Sequence, residues 1–180
     1  MLGGTLVDSE PMWVLADASH EEALNHFVCA DPPKWLWDKH RGRHHPSKWE
    51  LETQSAIRGL RLPVPEDEGV ILAMFGSEIA GVIWLSFDVD ETQLLVRAIA
   101  THIDYRGTGL GGRLLDEGLR LLEANRLYHQ LDCAFWANIH SSNDASKHLF
   151  ASRGFVDIDE SPVGTSPAGL HTWAKAPGLV

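Results

Sequence analysis

The 180-residue sequence predicts a mixed α/β fold of the α+β type, with a central sheet of about seven strands and helices on both faces. Three observations predict it. Apolar runs at Val70–Phe75, Ile79–Phe87 and Gln93–Ile103 are separated only by short turns, the pattern of an antiparallel meander. The period then switches, and Leu114, Leu115, Leu119 and Leu122 fall at helical spacing within Gly111–Leu127. A second strand and helix follow at Leu131–Ala137 and Asp144–Ser152, so a strand–helix–strand unit sits at the centre.

Each element has a local cause. Met12–Ala16 is a short apolar run and reads as a strand behind a loose terminus at 1–10. Ser19 is placed to cap a helix whose apolar face is Ala23, Leu24, Phe27 and Val28, ended by Asp31-Pro32-Pro33. Residues 34–46 read as irregular. Ser47 with Glu50 three residues on makes a capping box for a helix carrying Trp49, Leu51, Ile57 and Leu60. Gly76-Ser77-Glu78 and Asp88–Glu91 are the turns of the meander. Gly154 fits the stop of the second long helix, and Phe155–Ile158 and Leu170–Ala174 are closing strands.

Composition bounds the function. This length predicts one domain over 1–180. A net charge of −10 argues against a uniform phosphate-binding surface and makes nucleic acid an unlikely partner. The two cysteines, Cys29 and Cys133, make no disulfide framework, and no apolar run is long enough to span a membrane. A basic signal region is also missing, so the expectation is a cytoplasmic protein without membrane partners.

The informative segment is Ile99-Ala100-Thr101-His102-Ile103-Asp104-Tyr105-Arg106-Gly107-Thr108-Gly109-Leu110-Gly111-Gly112. A strand enters a glycine-rich turn, and the turn opens a helix. Glycines let backbone approach a ligand closely, and the N–H groups at a helix start attract an anion. Arg106 adds a full positive charge. Such a turn suits a pyrophosphate. Gly107-x-Gly109-x-x-Gly112 formally matches a dinucleotide fingerprint with Asp132 downstream, but that acid opens a strand, and about 50 residues are too few for a doubly wound sheet. A P-loop is excluded, since no Gly-Lys-Ser/Thr follows. A purely structural turn stays open.

Arg106-Gly-Thr-Gly-Leu-Gly111 resembles the R-x-x-G-x-G/A signature of the GNAT superfamily of acyl-CoA-dependent N-acyltransferases. Asn143-Asp-Ala-Ser146-Lys-His-Leu149-Phe150-Ala-Ser-Arg-Gly154-Phe155 is similar to its second signature. The element order agrees from residue 12 to about 175. The resemblance implies a single GNAT-like domain that transfers an acetyl group from acetyl-CoA to an amine acceptor, by direct attack in a ternary complex. It implies that Ile99, Ala100 and Thr101 face the pantetheine arm and that Arg106, Gly107, Thr108, Gly109, Leu110, Gly111 and Gly112 hold the pyrophosphate. Asn143 and Ser146 then lie near the arm or the adenine. No metal is expected, and a homodimer is common in the family.

One position departs from the pattern. Phe150 stands where the family usually has the Tyr that protonates the leaving thiolate, and Phe carries no proton to give. A non-catalytic acyl-CoA binding or sensing module is therefore the alternative. Ser142, Ser146 and Cys133 are substitute donors, each with a plain structural reading beside it. His102 is a candidate base at a strand end, Glu50 and Glu52 sit on the second helix, which the resemblance implies lines the acceptor side, and Arg97 can clamp an acceptor carboxylate or stand as an exposed charge. Residues 34–49 hold Lys34, Lys39, Arg41, Arg43 and Lys48 with Trp35, Trp37, Trp49, His40, His44 and His45. An acceptor-recognition segment, a histidine metal site, a nucleic-acid groove and an ordered loop with its tryptophans in the core all remain open there.

Overall fold

The meander forms the middle of one seven-stranded sheet, in the order β1 (Met12–Leu15), β4 (Glu68–Phe75), β5 (Glu78–Asp88), β6 (Gln93–Thr101), β7 (Phe135–His140), β9 (Leu170–Lys175), β8 (Val156–Asp157). The structure is a computed structural model and describes residues 10–159 and 169–177. Residues 1–9 of the expected loose terminus fall outside it, while Glu10 pairs with Arg113. All neighbouring strands run antiparallel except β6 and β7, which are parallel. The parallel pair is joined by α3 (Leu110–Tyr128), the crossover that a parallel connection requires.

Alternation along the strands splits the core in two. Ile71 and Ala73 of β4 and Ile83 and Leu85 of β5 face Leu114, Leu115 and Leu122 of α3 and Phe150 of α4 (Asp144–Ala151). Val70, Leu72 and Val82 face the other way, onto Leu24 of α1 (Glu21–Asn25) and Ile57 of α2 (Lys48–Arg58). Helices therefore cover both faces, as the sequence predicts.

Two features of the sheet create the cleft. Trp84 pairs with Ala98 and Leu85 pairs with Val96, so Arg97 is the extra residue of a β-bulge in β6. The β6–β7 ladder covers only Leu94–Phe135, Leu95–Trp136 and Val96–Ala137. Beyond that register the two strands run on, to Thr101 and His140, without pairing. The bulge sits where the pairing stops.

Several local expectations need correction. Asp17, not Ser19, caps the first helical turn, because its carboxylate accepts the Ser19 N–H and His20 completes a capping box. Residues 34–46 are not irregular: β2 (Leu36–Asp38) and β3 (Gly42–His44) form a hairpin. Asp38 closes its turn by accepting the N–H groups of His40 and Arg41, and Gly42 takes φ +70°. The tryptophans there are not core residues, since Trp37 is 81% exposed and Trp35 half-buried. Strand β7 runs from 135 to 140, not 131 to 137, because the chain leaves α3 through a positive φ at Gln130 and Arg126 holds the Leu131 carbonyl.

Candidate functional site

The strand–turn–helix segment folds as its composition dictates. β6 ends at Thr101, a 3-10 turn spans Ile103–Tyr105, and Gly107 and Gly109 take φ +73° and +81°. This left-handed backbone is cheap only for glycine. Gly109 is the N-cap of α3, and no side chain caps the helix, so its first N–H groups face the cleft bare. The 19-residue helix adds its dipole behind them.

A cavity of about 360 Å³ lies against this turn. Of the residues expected to hold acyl-CoA, Ile99, Ala100, Thr101, Arg106, Gly107, Gly109, Leu110, Gly111, Asn143 and Ser146 line it. Thr108 and Gly112 do not. The Thr108 hydroxyl donates to the Tyr105 carbonyl, and Gly112 packs under the Arg153 guanidinium. Asn143 caps α4 by accepting the Ser146 N–H at 3.1 Å. Trp49 on α2, from the segment with an open acceptor-recognition reading, also lines the cavity, as do Thr53, Tyr105 and Ala145, to which the sequence assigned no role. Tyr105 donates its hydroxyl to Glu78 at 2.9 Å, and burial followed by that bond raises its pKa.

Arg106 does not hang free in the cavity. Its Nη2 donates to Glu50 at 3.0 Å and to the Cys29 carbonyl, tying the glycine turn to α2. Glu50 is accordingly no capping-box partner: it takes Arg106 and the Asp31 N–H, and Ser47 makes no side-chain cap bond. A guanidinium outcompetes a backbone N–H for a carboxylate. The Cys29 thiol beside this pair is pushed up to about 12 by burial, so it is inert.

A second cavity, of about 370 Å³, continues from the first past Trp49, Thr53, Ile99, Asn143 and Ser146 into the unpaired gap between β6 and β7. Arg97, Ala98, Asn138, His140, Glu52 and Phe150 line it. Phe150 is buried against Phe155, ring to edge. His140 stacks on Trp49 with ring centroids 4.7 Å apart, and its Nδ1 accepts the Ser142 N–H at 3.2 Å. An Nδ1 that accepts leaves the neutral ring's proton on Nε2. His140 escaped sequence reasoning because the strand was drawn to end at 137; its place three residues before the Asn143 cap was the available signal.

The other catalytic candidates stand apart. His102 lies outside the linings of both cavities, caps the 3-10 turn and packs edge-on against Phe27. Ser142 also lies outside both linings and contributes its backbone N–H to His140. Cys133 lines neither cavity, and burial raises its pKa. His40, His44 and His45 do not converge: His45 bonds the Pro32 carbonyl, and His44 lies against the Gly42 carbonyl. Glu52 pairs with Lys48 across one turn of α2.

Residues 29–155 match the family model described as the Acetyltransferase (GNAT) family. The chain belongs to that family. It is an acyl-CoA-dependent N-acyltransferase, moving an acyl group from acyl-CoA to an amine. It is 36% identical over 154 residues to the L-amino acid N-acyltransferase MnaT of Escherichia coli (strain K12), covering 82% of this chain and 79% of that protein. Solved GNAT structures share the fold. The PaiA N-acetyltransferase from Thermoplasma acidophilum in complex with coenzyme A has a TM-score of 0.64 at 13% identity, covering 93% of this chain and 99% of that one. A GNAT acetyltransferase from Streptococcus pneumoniae has a TM-score of 0.63 at 18% identity, covering 94% of this chain and 100% of that one.

Proposed function

We propose that this GNAT protein acetylates a primary amine with acetyl-CoA, by direct attack of the neutral amine on the thioester inside a ternary complex. One observation carries the reading: β6 and β7 part beyond Val96–Ala137, and the gap joins a bare helix N-terminus at one end to a separate polar chamber at the other. The pyrophosphate sits on the turn at Arg106, Gly107, Gly109, Leu110 and Gly111. The pantetheine arm runs along Ile99–Thr101, with Asn143 and Ser146 beside it. The amine enters by the second chamber, under Trp49 and Glu52 of α2. The thioester carbonyl meets the backbone at the Arg97 bulge, whose N–H groups stabilise the developing oxyanion. The amine enters neutral and gives its proton to water, while His140 presents its Nε2–H to this chamber as a hydrogen-bond donor. Phe150 donates nothing, so the thiolate leaves without help from that position. The MnaT relative makes L-amino acids the first acceptors to try. Two unpaired cysteines, Cys29 and Cys133, suit a reducing cytoplasmic setting.

The test is turnover. Acetyl-CoA is incubated with an amine panel that includes L-amino acids, and both free thiol and acetylated amine are followed. The expected result is amine-dependent thiol release with intersecting initial-rate lines, retained in Cys133→Ser. Parallel lines, or activity lost in that variant with binding intact, would mean a covalent acyl-enzyme. Binding of acetyl-CoA with no amine acetylated would favour the non-catalytic module, the reading that Phe150 supports; turnover gained in Phe150→Tyr would then confirm it.

A further inference from the structure

The second chamber carries a cation that acyl transfer does not itself require. Arg97 is the one Lys or Arg among the described residues that line it. Its guanidinium lies over the Trp84 indole, 4.4 Å from the ring centroid. Its Nη1 donates to one oxygen of Glu68, while Trp84 Nε1 donates to the other at 2.7 Å. The Glu68 side chain is only 12% exposed, so its carboxylate is committed to these two partners. Indole and carboxylate together fix the plane of the guanidinium. A fork held in advance loses little entropy when it binds, and the N–H groups beyond Nη1 suit a second carboxylate. The body of the protein bears a charge of −10, which repels an anionic acceptor at long range, so a local cation has to do the recognising. Leu95, Ile139 and Leu170 supply an apolar wall in the same chamber.

We infer that the acceptor carries a carboxylate beside its amine, and that Arg97, set by Glu68 and Trp84, reads that carboxylate. This rests on the acyl-transfer reading of the same cleft. An arginine serving only as a surface ion pair predicts the opposite: its replacement alters stability and leaves acceptor choice untouched.

The experiment compares L-leucine with L-leucinamide in the native protein, Arg97→Gln and Arg97→Lys, at saturating acetyl-CoA, after melting curves show all three folded. Comparing the acid-to-amide ratio between variants cancels the different basicity of the two amines. The expected result is a roughly 10–100-fold fall in the acid-to-amide ratio of kcat/KM in Arg97→Gln, mostly through KM for L-leucine, with Arg97→Lys intermediate. The same probes are titrated calorimetrically into protein saturated with CoA. That arm reads recognition without turnover, so a protein that binds the acid through Arg97 but acetylates nothing refutes the activity alone. An acid-to-amide binding ratio equal in the native protein and Arg97→Gln overturns the inference.

Discussion

At the scale of single residues, the cleft holds few groups able to move a proton. Phe150 has none to give, the Cys29 thiol is held neutral by burial, and His102 and Ser142 lie outside both cavities. Beside Tyr105 and Glu52, that leaves His140, whose ring is oriented by Trp49 and whose Nε2–H is fixed as a donor by the Ser142 N–H on Nδ1. Replacing it with Phe keeps a ring on Trp49 but removes the Nε2–H donor. His140→Phe should lower kcat by roughly 10-fold, the loss of one hydrogen bond, while acetyl-CoA affinity holds. Steady-state kinetics beside a calorimetric titration checks this, and an unchanged kcat would remove His140 from the chemistry.

At the scale of elements, the cleft depends on how closely α3 lies on the sheet. Gly118 is where the helix meets β5: a Cβ there would strike Ile83 Cδ1 in the packed core. Gly118→Ala should therefore destabilise the fold by about 1–3 kcal/mol, read as a lowered melting temperature, despite the helix preference for Ala. A variant as stable as the native protein would show that α3 shifts easily on the sheet. The elements proposed to hold the donor were legible in the sequence because their signals are local. Glycines 107 and 109 mark the left-handed turn, the leucine spacing marks α3, and Asn143 marks a helix start. The acceptor side was far less legible. The Arg97 bulge arises from pairing with β5, and Glu50 is claimed by Arg106, 56 residues away. The β2–β3 hairpin hid behind a composition of Trp, His and Arg that suggests no strand period. Such features are settled by tertiary partners, which a linear pattern does not contain.

At the scale of the whole molecule, ion pairs link elements beside the two cores, as Arg106–Glu50 and Arg153–Asp116 do, and others brace a single helix. Glu123 and Arg126 meet through two hydrogen bonds near the end of α3, and Arg126 also holds the Leu131 carbonyl that starts the approach to β7. The Arg126 hydrogen bond holds the Glu123 carboxyl below its ordinary 4.5. A carboxyl lowered in the folded state adds stability above its unfolded pKa, and that contribution fades as pH falls through the folded value. Glu123→Gln should thus cost about 0.5–1 kcal/mol at pH 7, with the difference from the native protein closing below about pH 4. Denaturant melts at both pH values check the sign, and a gap that widens in acid would contradict it. Among the described residues no helix is long and apolar enough to cross a membrane.

The central claim is that acetyl-CoA lies across the glycine turn and down the gap between β6 and β7. Calorimetric titration with acetyl-CoA tests it most directly, on the native protein and on Gly109→Asp, which sets a negative charge at the bare start of α3. The account predicts one site per chain in the native protein and lost binding in the folded variant. Native affinity in Gly109→Asp, or no binding by the native protein, would contradict it.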